Sequence, residues 1–86
     1  MNNFITIDLE ATGARIKACR KAANITVAAI VEALGLSAEQ TVYKWQRGES
    51  LPEYVNILNL SKMFGVTINY LLGGEEGEIT GGAISL

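Results

Sequence analysis

The chain has no histidine, one cysteine and one proline, and its aromatic residues are one tryptophan, three tyrosines and two phenylalanines. Without histidine, the side chain that most often serves as general base and metal ligand near neutral pH is missing. Cys19 has no second cysteine to pair with or to complete a metal-ligand spacing, so it reads as a small buried apolar side chain on a helix face. No phosphate-binding loop is present either, since the glycines at 73, 74, 77, 81 and 82 neither precede a Lys-Ser/Thr pair nor follow a strong strand. An enzyme is therefore not expected, and no metal, cofactor or small-molecule substrate is implied. Long apolar runs are missing as well: the longest, Val27 to Val31, falls far short of the roughly 18 to 20 residues that a bilayer span needs. Met1 to Glu10 has no basic segment followed by an apolar one, so no secretory signal is read and a cytoplasmic protein that avoids the membrane is expected.

What remains is one small domain. Eighty-six residues with 49% hydrophobic content bury a modest core and are not disordered. The net charge of −2 is unevenly placed. Residues 1 to 72 hold all seven basic side chains and six acids, a balance of +1, while Glu75, Glu76 and Glu78 carry the rest of the acidity. Affinity for a phosphate backbone scales with the phosphates neutralised, so a body of +1 predicts modest, salt-sensitive binding to nucleic acid per subunit.

Periodicity and caps predict five short helices. Leu9, Gly13, Ile16, Cys19 and Ala23 recur at steps of three and four and mark the inner face of the first, with Arg15, Lys17 and Lys21 on the other side. Asp8 and Thr12 both suit its N-cap. Thr26 caps a second helix with Ile30, Ala33 and Leu34 facing inward and Gly35 ending it. Ser37-Ala38-Glu39-Gln40 has the capping-box spacing and opens a third, which runs through Val42 and Trp45 to Arg47 before Gly48. Pro52 suits the first turn of a fourth, with Ile57, Leu60, Ser61 and Phe64 inward and Gly65 at its end. Thr67 caps a fifth over Ile68, Leu71 and Leu72. Asn3 to Asp8 is compatible with a short strand, and Glu75 to Leu86 reads as an acidic, glycine-rich tail.

The second and third helices are the strongest signal, because two short helices separated by Gly35-Leu36-Ser37 make a helix-turn-helix. One helix braces while the next enters a major groove about 12 Å wide and reads base edges. Side chains near the start of the third helix, Glu39, Gln40, Tyr43 and Lys44, are placed for that role. Trp45 is at the spacing from Val42 that points it inward.

Thr12-Gly13 followed by Ile16 and Arg20, then Thr26, Ala33-Leu34-Gly35 and the run from Val42 to Pro52 (VYKWQRGESLP), resemble the phage repressor/Cro-like (XRE) helix-turn-helix family. Leu60 to Thr67 (LSKMFGVT) with Leu71-Leu72 extends the match, which covers roughly residues 12 to 72. The resemblance implies an all-α fold, a compact five-helix bundle of the lambda-repressor-like type, with an N-terminal extended arm over 1–8, the helix-turn-helix domain over 9–72 and the tail over 73–86. It implies a transcriptional regulator of repressor type that binds double-stranded DNA sequence-specifically as a homodimer, with a recognition helix over about 38–47 in the major groove. Base contacts are then expected from Glu39, Gln40 and Lys44, and backbone contacts from Thr26, Thr41, Tyr43 and Arg47. Their chemistry agrees: Gln pairs bidentately with adenine, Lys donates to guanine, and Glu accepts from cytosine N4.

Several positions depart from the family pattern. Val27 stands where relatives often carry a phosphate-binding Gln, Ala38 lengthens the turn by one residue, and Glu49 and Glu53 flank a loop where basic residues are common and where they are expected to repel phosphate. Gln46 stands where relatives commonly carry Glu facing the arginine equivalent to Arg20. The acid-flanked loop and low pI leave a second function class open, a protein-interaction module of antitoxin or antirepressor type with weak DNA affinity. Tyr54, Val55 and Leu58 with Tyr70 form either core edge or a dimer contact, and helix five with the terminal segments is the expected dimer surface.

Overall fold

The computed structural model describes residues 6–74, and every regular element among them is an α-helix. In chain order these are α1 (Leu9–Ala22), α2 (Val27–Leu34), α3 (Glu39–Gln46), α4 (Tyr54–Phe64) and α5 (Ile68–Gly73). Residues 6–8 form no strand. The rest of the expected strand, the first part of the arm and the tail from Glu75 onward lie outside the described residues.

Local chemistry sets most of the boundaries. The Asp8 side chain accepts from the Ala11 N–H at 3.1 Å and starts α1. That decides between the two candidate caps, since Thr12 is 1% exposed inside the helix. Thr26 and Thr67 cap α2 and α5 by accepting from Ala29 and Tyr70, each at 3.0 Å. Gly35 and Gly65 end α2 and α4 at φ of +68° and +72°, the left-handed region that side chains with a Cβ avoid.

Two expected starts are corrected. Ser37 does not cap α3: the N-cap is Ala38, extended at φ −158° and with no side-chain bond, because the extra residue of the turn moves the helix start one position along. Pro52 is not in the first turn of α4 but precedes the N-cap Glu53. Pro52 and Ile57 thereby hold the N′ and N4 positions at which an apolar pair staples a helix start, and both are buried.

The core joins Ile16 of α1, Val27 and Ile30 of α2, Val42 and Trp45 of α3, Leu60 of α4 and Leu71 of α5, with Cys19, Leu34 and Phe64 packed at its edge. Three expected inner residues face solvent instead. Leu9 is the first residue of α1 and Ala23 already lies beyond its end, so neither reaches the packed stretch. Ala33 is exposed because α2 packs through Val27, Ile30, Val31 and Leu34, the full i, i+3, i+4, i+7 series, and Ala33 falls off that stripe.

α1 packs closely against the end of α3. A Cβ built at Gly13 falls against the Trp45 carbonyl oxygen and 2.6 Å from that of Gln46, both backbone atoms that cannot swing aside. Three residues earlier, Glu10 backs onto Gly48, where a Cβ would lie 2.8 Å from the Glu10 Cα. Gly13→Ala is expected to lower the unfolding free energy by about 1–3 kcal/mol through overpacking, although alanine is the better helix former by about 1 kcal/mol. Gly35→Ala, with nothing within 4 Å of its Cβ, should cost only the left-handed strain of about 1–2 kcal/mol. Chemical denaturation of both variants checks the ranking, and a Gly13→Ala protein as stable as wild type would refute the close contact.

Candidate nucleic-acid interface

α3 is two turns long and presents two different faces. Successive residues advance by about 100°, so from Glu39 the side chains of Tyr43, Arg47, Gln40 and Lys44 fill one arc of about 140°. All five are exposed. Val42 and Trp45 lie on the other side, at 0% and 4% exposure. The seven sequence-predicted contact residues are thus placed as follows. Glu39, Gln40, Tyr43, Lys44 and Arg47 share the open face of α3; Thr41 sits half-buried at its edge; and Thr26 is exposed at the start of α2.

Neighbouring positions sharpen this assignment. The Thr26 hydroxyl oxygen already accepts from Ala29 N–H, which leaves its O–H as the group it has to offer. Val27 is 6% exposed and belongs to the core, so this side chain has left the surface where a phosphate-binding amide would project. The Thr26 hydroxyl and the backbone N–H groups are what remain at that helix start.

What orients α3 is its seam with α1. Arg20 Nε donates to the Gln46 side-chain oxygen at 2.9 Å, and its second nitrogen donates to the Ile25 carbonyl at 3.0 Å. One guanidinium therefore joins the end of α3, the loop after α1 and α1 itself. Among the described residues, no buried side-chain nitrogen or oxygen lacks a partner.

Sequence reasoning missed one contact at the end of this face. Arg47 Nε donates to Glu49 Oε2 at 2.5 Å across Gly48, which turns the chain at φ +79°. The side chains are 48% and 50% exposed. Hydrogen bonding to Arg47, with added attraction to Arg47 and Lys44, holds the Glu49 carboxyl below the usual carboxylate range, and the same bond pushes Arg47 up. A carboxyl depressed in the folded state adds stability above its unfolded pKa and loses it as the pH falls through the folded one; with both groups in solvent the contribution is small. Glu49 is thus a partner of Arg47 and not only a charge facing phosphate. The readable signal was opposite charges flanking a glycine at a helix end.

The described residues hold no cluster of three or more His, Cys, Asp and Glu placed for a metal, and no helix long and apolar enough to cross a membrane. A family model described as Helix-turn-helix matches residues 16–71. The chain is similar to Repressor protein C2 of Salmonella phage P22, 38% identical over 63 residues that make up 73% of this chain and 29% of that protein. It is also similar to the uncharacterized HTH-type transcriptional regulator YqaE of Bacillus subtilis (strain 168), 30% identical over 73% of this chain and 53% of that protein. It spans about half or less of these relatives' length. Among solved structures, the P22 c2 repressor protein in complex with synthetic operator 9T in the presence of Tl+ superposes at a TM-score of 0.68, with 36% identity over 74% of this chain and 96% of that one.

The amide at position 46 generates a prediction. Gln46→Glu should raise stability at neutral pH by about 1 kcal/mol, because the Arg20 bond becomes charged on both sides. Arg20→Ala should cost about 2–3 kcal/mol by leaving the Gln46 oxygen and the Ile25 carbonyl without their donor. Thermal melts at pH 7 decide; a Gln46→Glu midpoint no higher than wild type would mean that the acid finds no pairing there.

Proposed function

The chain belongs to the helix-turn-helix family, and from that membership we propose that it is a transcriptional regulator of repressor type that binds double-stranded DNA sequence-specifically. The domain over 9–72 carries the activity and works in the cytoplasm, where its DNA is. The observation that carries this reading is the open arc of α3: five polar or aromatic side chains left uncovered on a helix whose other face is sealed into the core. A helix held this way fits the width of a major groove.

The roles follow from chemistry and position. Gln40 and Lys44 read base edges, Gln suiting adenine and Lys guanine, and Glu39 at the first turn accepts from a cytosine amine. Tyr43 and Arg47 reach the sugar-phosphate backbone from the same face, Thr41 from its edge, and the Thr26 hydroxyl from the start of α2. Two copies act together. One eight-residue recognition helix reads too few base pairs, and a twofold dimer sets two of them about 34 Å apart on one side of the duplex. Tyr54 at 70% and Val55 at 63% exposure, next to Leu51 at 39%, support a contact at the start of α4. Leu58 and Tyr70 are half-buried and add less.

A fluorescence anisotropy titration on bulk duplex DNA at low and moderate salt tests the reading, followed by selection of an operator from genomic fragments. No binding at either salt would favour the alternative module of antitoxin or antirepressor type. With an operator in hand, Lys44→Ala should lose about 1–3 kcal/mol of discrimination between operator and scrambled duplex. Equal losses on both duplexes would remove Lys44 from the base readers. Val55→Glu should abolish dimers seen by sedimentation at micromolar concentration; a dimer that survives it moves the contact elsewhere.

A further inference from the structure

Three of the chain's seven basic side chains, all of them arginines, are held by partners within the protein. Arg15 donates to the Leu71 carbonyl at 3.0 Å, and Arg20 donates to Gln46 and to the Ile25 carbonyl. On the open face of α3 this leaves Lys44 and Arg47, and Arg47 is held by Glu49. The pair is set by the backbone and not only by attraction. Gly48 reverses the chain between the two residues, and Glu10 of α1 closes over that glycine, so the turn that presents Glu49 to Arg47 is fixed from below. Of the charged groups around the pair, Lys44 attracts Glu49 from α3, and Glu10 is the acid on the α1 side.

A carboxylate on the edge of a guanidinium takes the place of a phosphate oxygen, since both are anionic acceptors for the same planar donor set. We propose that Glu49 is an internal phosphate surrogate and a specificity-determining residue: it occupies Arg47 in the free protein, and only a closely fitted DNA backbone displaces it. This rests on the DNA-binding reading above and adds a residue to it. On an ill-fitting duplex Arg47 stays on Glu49, so one phosphate fewer is neutralised and the sequence-blind part of the affinity falls. On the operator the fit of Gln40 and Lys44 brings a phosphate to Arg47 and the exchange takes place. Glu49 thereby lowers non-specific binding more than operator binding.

The test is a double-mutant cycle of Glu49→Gln and Arg47→Ala, titrated on bulk duplex and on the selected operator between 50 and 200 mM salt, a range suited to counterion release. All the altered side chains are exposed, and circular dichroism melts confirm that each variant is folded. Glu49→Gln is expected to tighten binding to bulk duplex by roughly two- to fivefold per subunit, the scale of an exposed ion pair. The slope of log K against log salt should steepen by about 0.9 per subunit, one added phosphate. The gain on the operator should be smaller, and the gain on bulk duplex should vanish in the Arg47→Ala background. Three results overturn the proposal while leaving DNA binding intact: no change on Glu49→Gln, an equal gain on both duplexes, or a gain that persists without Arg47, which would make Glu49 a simple repelling charge. Wild type that binds neither duplex overturns the DNA-binding reading and this proposal with it.

Discussion

The crossing of α1 over the C-terminal end of α3 is the contact on which the molecule depends. An eight-residue helix is too short to hold its shape in water by its own hydrogen bonds, and α3 also starts without a side-chain cap. Its conformation therefore comes from tertiary contact. Gly13 lets the α1 backbone rest on the carbonyls of Trp45 and Gln46, Ile16 continues the seam into the core, and Arg20 bonds the Gln46 amide. These contacts occupy the same side of α3 as Val42 and Trp45, so the arc from Glu39 to Lys44 is turned outward by the packing opposite it. The direction in which the candidate base readers point is fixed by α1.

The same helix anchors the other end of the domain. The Thr12 hydroxyl donates to the Leu72 carbonyl at 3.5 Å and Arg15 to that of Leu71, satisfying carbonyls that the last turn of α5 leaves without helical partners. Arg15 also lies against Gly74, whose φ of +74° ends α5. One helix thus joins α3 and α5 through its arginines and a buried threonine, and this use has an electrostatic consequence. Cations that hydrogen-bond to internal carbonyls and amides are oriented toward the protein and add little grip on an outside polyanion.

Much of this was readable in the sequence, and the misses have physical causes. All five helices, the caps Thr26 and Thr67, the inward Trp45 and the Arg20–Gln46 bond follow from spacing, cap chemistry and the family pattern. The start of α3 was misread because Ser37 and Ala38 both precede the helix, and spacing alone does not say which is the last extended residue. Asn24, left-handed at φ +59°, closes α1 in the place usually taken by glycine, and its tolerance for that conformation was a usable signal. Ala33 satisfied a helical spacing without lying on the buried stripe, which shows how little a small apolar residue constrains a face. The Arg47–Glu49 pair depends on the turn at Gly48, a three-dimensional fact that linear charge patterning registers only as neighbouring opposite charges.

The open face of α3 is close to neutral. Glu39 opposes Lys44, and Arg47 is balanced by Glu49, so a phosphate backbone approaching from a distance meets no concentration of positive charge. Glu39 is favourable where it stands, since its carboxylate lies at the positive end of the α3 dipole. Against a phosphate, however, the same group is repulsive. The two requirements agree only if Glu39 faces base edges, where an amino group meets it, and the phosphates pass to either side. A face of this composition gains little from long-range steering, and its affinity has to come from short-range fit, with hydrogen bonds formed once the helix is seated. In the DNA-bound state proposed above, discrimination between sequences is then large relative to total affinity.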